Sequence, residues 1–427
     1  MPDVLELDSG APCLCETAAV PPISAKRNSI GLHATSFFLA ELTGVVAPFL
    51  SEYLRMQGWG YDAIGALLAL TAFGALLMQT PAGVLVDRTR RPRALLAGSS
   101  VLLGLCYGLV PAVPRQWRWM APLLLAAGLA KTLFNPALGA LTLGLAGHQA
   151  LNKTWGMNQC CNHLGNIAAA LSAMAIVSWL TVSWVFFAVT AVSLLAAVSV
   201  SLIRPEDLTR QAAVEVLGEE VGCRGRTPLR QLFCDRRIAV LCLSTAMFHL
   251  ANAPIMPLVG LYVKRLDGSD RQVAAVVLVA QSVMIPVALM SGWLCDRWGR
   301  KWTLAIGFGV LPLRIWLYSL ATSPGQLVAL QALDGVGAGV LGVAVVAVCA
   351  DLMRGTGRFN SLAGFVATGS ALGGVLGAFI SGMLVEHCGF AATFEVFAAI
   401  AVLAAVVFVC WMPETGPQFI VTSRPRA

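Results

Sequence analysis

Apolar runs of about twenty residues alternate with short polar connections along almost the whole chain. A bilayer core about 30 Å thick takes about 20 helical residues to cross. Twelve stretches meet that length, at approximately 30–54, 61–86, 92–112, 118–146, 155–178, 181–203, 237–262, 272–295, 302–322, 325–352, 359–385 and 389–412. They predict an all-α integral membrane protein of twelve transmembrane helices. The one long polar interval between spans, Arg204 to Arg237, carries six carboxylates and seven Arg and separates six spans from six. Residues 30–203 and 237–412 are therefore expected to form two six-helix bundles, joined by a linker at 204–236. Residues 1–29 and 413–427 read as tails on the linker side, and the first tail lacks the basic-then-apolar layout of a signal peptide.

Composition agrees. The chain is 57% hydrophobic and 12% charged, against roughly 25% charged residues in soluble domains. Its net charge of +7 would suit nucleic acid, but the placement of the basic residues argues otherwise. With the tails in the cytosol, 21 of the 29 Lys and Arg fall on the cytosolic side, 6 outside and 2 within spans. That asymmetry sets orientation in a membrane, the bacterial inner membrane being the expected one. Most of the 12 Cys lie in apolar spans, where Cys acts as a small hydrophobe, and no zinc-type spacing appears. No metal or cofactor is expected.

A charged loop occurs twice, 209 residues apart. Gly83-Val84-Leu85-Val86-Asp87-Arg88-Thr89-Arg90-Arg91 returns as Gly292-Trp293-Leu294-Cys295-Asp296-Arg297-Trp298-Gly299-Arg300. Duplicated hydrophobic halves are the plan of a transporter whose two bundles rock against each other. Span 11 also carries Gly369, Gly373 and Gly377, and span 5 carries Gly165, Ala169 and Ala173. Small residues four apart allow close helix contact, so both helices are expected to line the interface between the halves.

These features resemble the major facilitator superfamily, from the first span to the last. That family's loop reads G-x-L-x-D-R-x-G-R-[RK], which Gly292 to Lys301 keeps in full; the first copy has Arg90 in place of the glycine. The resemblance implies two pseudo-symmetric bundles and a gating clasp on the cytosolic side. Its residues here would be Gly83, Asp87, Arg88, Arg91, Gly292, Asp296, Arg297 and Arg300. Asp87 ends a helix and is placed to accept bonds from the N-terminal amides of a neighbour, where the helix dipole favours an anion. The bland alternative is that these charges only set topology. Asn162-His163-Leu164-Gly165-Asn166, Phe248-His249-Leu250-Ala251-Asn252-Ala253 and Leu333-Asp334-Gly335-Val336-Gly337 are similar to a bacterial subgroup, some members of which resemble exporters of polycarboxylate siderophores. The G-P-x-x-G-G signature of drug/proton antiporters is missing from span 5.

Ionisable groups inside a bilayer cost roughly 2.5–3.5 kcal/mol each on insertion scales and are functional candidates by default. Glu41, Lys131, His249 and Arg314 fall near the midplane at 1.5 Å per residue, with Asp334 somewhat outward. On span 5, Gln159, His163 and Asn166 share a face; Lys131 pairs with Asn135 on span 4, and His249 with Asn252 on span 7. Polar stripes of this kind must face protein or a watered cavity. The expected solute site is Lys131, Asn135, Gln159, His163, Asn166, His249, Asn252 and Arg314, with Glu41 and Asp334 as the proton-coupling carboxylates. Three alternatives stand beside it. Arg314 and Asp334 form a structural pair, Glu41 neutralises Lys131, or His163 and Asn166 only bond helix to helix.

The expected function is secondary active transport of a small polar or amphipathic solute, most simply proton-coupled efflux by a monomer. A carboxylate-bearing siderophore or metabolite is one candidate cargo. No Walker-type nucleotide loop is present, so ATP is not the expected energy source. Uptake by the same fold, a membrane enzyme and a non-transporting receptor or scaffold are the rivals.

Overall fold

The computed structural model describes residues 22–44, 46–59, 61–208, 235–354 and 356–416, all in helices and short connections. The first 21 residues, most of the linker (209–234) and the end of the second tail (417–427) lie outside the described residues. Among the described residues nine helical runs are long and apolar enough to cross a bilayer. One of them, Phe359–Trp411, is two spans folded at Gly389, where φ is 79°. The first span, described as Pro22–Gly44 and Val46–Met56, and a 20-residue helix, Arg300–Ser319, complete the set of twelve.

In chain order the first half holds α1 (Pro22–Gly44), α2 (Val46–Met56), α3 (Tyr61–Arg88), α4 (Pro92–Leu109), α5 (Trp117–Lys131), α6 (Phe134–Trp179) and α7 (Ser183–Ser201). The second half holds α8 (Arg236–Asn252), α9 (Ile255–Arg265), α10 (Asp270–Arg297), α11 (Arg300–Ser319), α12 (Pro324–Leu352) and α13 (Phe359–Trp411). Helix α6 also reverses internally, at Gly147, where φ is 63°. Both reversals fall on glycine because a positive φ is strained for side chains with a Cβ.

Two spans break near mid-membrane, between α5 and α6 and between α8 and α9. Pro136 and Pro257 explain both. Each lacks an N–H and clashes with the carbonyl four residues back, at Thr132 and Ala253. The breaks leave Lys131 as the last residue of α5 and Asn252 as the last residue of α8.

Each half buries its own core. One is built from residues between Leu32 and Ile203, with Ala288 and Val343 reaching in from the other half. The other runs from Ile238 to Met412, with Leu151 added; in it Phe308 stacks on Phe408 at 4.6 Å. Large apolar side chains such as Leu171, Leu194, Phe379 and Leu403 stay exposed. Lipid tails, rather than water, solvate them in a multi-pass membrane protein.

The small-residue stripes act elsewhere than expected. A Cβ at Gly373 or Gly377 would collide with the carbonyls of Ala246 and Leu250 on α8, inside the second half. A Cβ at Gly165 would collide with Phe37 O on α1, inside the first half. The stripes therefore fix packing within each bundle, and it is other faces of the same helices that meet the opposite half. The tails also begin later than the hydropathy suggests. Asn28 is buried and binds Asp207 Oδ2 (2.7 Å) and the amide of Arg204 (3.0 Å), so the start of α1 is part of the folded body. Glu414, beyond the last span, accepts from the amides of Arg300 (2.8 Å) and Lys301 (3.1 Å) at the start of α11.

Candidate functional site

The two motif loops lie at one end of the molecule and reach across it. Asp87, at the end of α3, accepts four bonds from the first residues of α13. They come from the amides of Asn360 (3.1 Å) and Ser361 (2.7 Å), Asn360 Nδ2 (2.9 Å) and Ser361 Oγ (2.5 Å). A carboxylate here meets free N–H groups and the positive end of the helix dipole together. The second copy mirrors it: Asp296 accepts from Asn152 Nδ2 (2.6 Å) in α6. The motif glycines make this approach possible. A Cβ at Gly83 would collide with Asn360 O, and one at Gly292 would stand 2.6 Å from Asn152 O.

The motif arginines divide. Arg300 is buried and donates Nε to Asp351 Oδ2 (2.8 Å) and Nη1 to Cys295 O (2.8 Å). Arg297 is exposed, with its guanidinium 5.2 Å from the Trp293 ring centroid. Arg88 and Arg91 are exposed, and no ion pair holds them among the described residues. The two copies differ in what surrounds the motif arginines. The position equivalent to Asp351 under the repeat is Thr142, whose hydroxyl serves Leu138 O and Asn158 instead. The turns differ too: Gly299 has φ 97°, whereas Arg90 avoids the left-handed region and Arg91 takes φ −131°.

Further bonds join the halves from the motif end to mid-helix. Thr80 meets Thr368 (2.8 Å), Trp155 Nε1 donates to Gly342 O (2.9 Å), and His163 Nδ1 lies 2.8 Å from Gln281 Oε1. Between the halves lie two adjoining cavities of about 630 and about 1000 Å³, sharing Gln79, Asn135 and Ala371 as wall. The smaller takes in Trp155, Gln159, His249 and Asn252; the larger spreads over the far half of α3 and includes Lys131. Volumes of this order suit drug-sized molecules.

Of the eight expected solute-site residues, Lys131, Asn135, Gln159, His249 and Asn252 line these cavities. Three do not. His163 is buried against Gln281 in the seam between α6 and α10. Asn166 bonds Asn162 (3.3 Å) and its amide oxygen faces Gly44 of α1. Arg314 is buried inside the second half, where it donates to both Asp334 and Asn252. Each has found a protein partner, which for a group away from water is the alternative to a wet wall. Among the described residues, Glu41 and Lys131 have no ion-pair partner within 4 Å, so Glu41 does not neutralise Lys131. Polar wall and seam residues that sequence reasoning passed over include Gln79, Gln281, Asn152, Asn360 and Ser361. The last three start spans 5 and 11, at nearly the 209-residue offset, and that repeat was the available signal.

Comparison with known proteins agrees with this architecture. The family model described as Major Facilitator Superfamily matches residues 31–311 and 241–423. The uncharacterized MFS-type transporter Rv2456c of Mycobacterium tuberculosis is 33% identical over 416 residues, covering 95% of this chain and 97% of that protein. The multidrug resistance protein MdtG of Dickeya zeae is 26% identical over 418 residues, covering 92% and 95%. Among solved structures, the proton:xylose symporter XylE superposes with a TM-score of 0.72 at 14% identity, covering 92% of this chain and 97% of that one; it shows the fold. This chain is a twelve-helix membrane transporter by fold. It belongs to the major facilitator superfamily.

Proposed function

We propose that the protein is a proton-coupled exporter that moves a small amphipathic solute out of the cell by alternating access. The observation that carries this reading is the asymmetry of the closure. Paired clasps at Asp87 and Asp296 join the halves at the motif end, while the larger cavity spreads towards the other end. By the distribution of Lys and Arg the motif end is cytosolic, so this is the outward-facing state. The two tails and the linker then lie in the cytoplasm, and residues 30–203 and 237–412 act as the two rocking bodies. Export is favoured over uptake because relatives such as MdtG carry the name multidrug resistance proteins.

Asp334 is the proton site. It is buried beside Arg314, and protonation would remove its half of the ion pair, leaving Arg314 held by Asn252 on the cavity wall alone. A pair that closes and opens with the proton would be the kind of two-state element that links two sites. Gln159, His249 and Asn252 supply hydrogen bonds to the solute, and Lys131 with Asn135 supplies a cation and an amide.

Comparing metabolites in the media of deletion and parent strains identifies the cargo. Counterflow in proteoliposomes then separates a transporter from a receptor, since a receptor binds without exchange. Accumulation against the solute gradient under an imposed pH difference is the result expected; exchange that ignores the pH difference removes proton coupling.

A further inference from the structure

The charge balance of the cavity carries an inference about its cargo. Across both cavities the wall of described residues contains one charged side chain, Lys131. The other midplane cation, Arg314, is withdrawn and matched by Asp334. Neither Glu41 nor Asp334 reaches the wall, and among the described residues no hydrogen bond or ion pair holds Lys131. The C-terminal end of α5 accommodates this ammonium, since a cation there meets the negative end of the helix dipole. The rest of the wall is neutral. It combines amides at Gln79, Asn135 and Asn252 with aromatic and aliphatic surface such as Phe248, Trp155 and Leu76.

Assuming that this cavity is the solute site proposed above, we propose that it takes amphipathic monoanions: one carboxylate or sulfonate on an apolar body, with Lys131 setting the charge. A lipophilic cation would meet an unscreened ammonium and no counter-charge. A polycarboxylate would bring more negative groups than one lysine can match, each costly to strip of water without a partner. This sets aside the siderophore class that the local likeness implies.

The full chain in nanodiscs tests this with two probes of one shape and opposite charge. These are 1-pyrenebutyrate and its counterpart with a trimethylammonium in place of the carboxylate. Binding is read by energy transfer from tryptophan, with empty nanodiscs subtracted. The carboxylate should bind at least tenfold more tightly than the cation. Lys131→Gln should bring the two within about threefold, and Lys131→Glu should invert the order. Lys153→Gln, at an exposed lysine off the cavity, should leave the preference as in the parent. Equal binding, tighter binding of the cation, binding of neither probe, or a preference that survives Lys131→Gln overturns the proposal. The transport reading fails separately. Lys131-dependent binding of the acid without movement under a pH gradient would sink proton-coupled export and leave this site standing. Proton-driven export of a cation by a protein that does not bind the acid would do the reverse.

Discussion

The Asp87 carboxylate accepts both the amide (2.7 Å) and the hydroxyl (2.5 Å) of Ser361, which lies 274 residues away in the other half of the chain. Hydrogen bonds to an ionised acceptor are worth about 1.5–3 kcal/mol each, so this contact weights the balance between open and closed at the motif end. Asp87→Asn should shift that balance towards the open state and slow turnover at least tenfold, with expression near parental. Labelling of a cysteine placed at Ala363, on the wall near the clasp, should rise. Unchanged labelling and transport would reduce the motif to a topology signal.

The glycines of the motif give a steric version of the same test. Gly83→Val puts atoms where Asn360 O now sits, so the two helix ends cannot meet. Transport should be lost while the protein still inserts and folds. Gly98→Val is the control, because a Cβ there meets nothing within 4 Å. Equal effects of the two changes would show that close approach at Gly83 is not needed.

Breaking the buried pair should be costly for a different reason. Asp334→Asn leaves Arg314 uncompensated in the interior, a change worth about 3–5 kcal/mol in comparable sites. Thermal unfolding in detergent should fall markedly, and proton-driven accumulation should disappear while exchange remains measurable. The double change Arg314→Met with Asp334→Leu should recover much of the thermal stability without restoring proton coupling. Accumulation that survives Asp334→Asn moves the proton site elsewhere, with Glu41→Gln the next variant to measure.

The two histidines should separate affinity from turnover. His249 stands on the cavity wall, and His249→Ala should weaken solute binding by about tenfold, or about 1.4 kcal/mol. His163 instead bridges to Gln281 across the seam. His163→Ala removes the hydrogen bond to half-buried Gln281, worth about 0.5–1.5 kcal/mol, in the joined arrangement. Affinity should then stay near parental while turnover changes. The opposite pattern in the two mutants would reverse the assignment of wall and seam.

Glu414 offers a prediction about the tail. Its carboxylate caps the first amides of α11 next to Arg300. Glu414→Ala should destabilise the second half by about 1 kcal/mol, the usual value of a lost N-cap, seen as an earlier thermal transition. A parental transition would show that the cap is not needed once the helix is packed.

Much of this protein was legible in its sequence, and the reason is solvent. A bilayer demands apolar runs of fixed length and satisfied backbone, so twelve spans in two halves follow from hydropathy. The duplicated loop pointed to the clasp because Asp at both copies adds nothing to a topology signal. Facing is another matter. Arg314 reads at the same depth as His249 and Lys131, and periodicity places His163 and Asn166 on a polar face of span 5. Which polar face meets water and which meets another helix depends on how each helix is rotated against its neighbours. Those rotations come from close contacts between residues far apart in the chain, such as Gly165 on Phe37 and Gly373 on Ala246. Sequence alone therefore determined the membrane fold and the list of expensive polar groups. Tertiary packing decided that Arg314 pairs with Asp334 inside the second half, and that Lys131 lines a cavity.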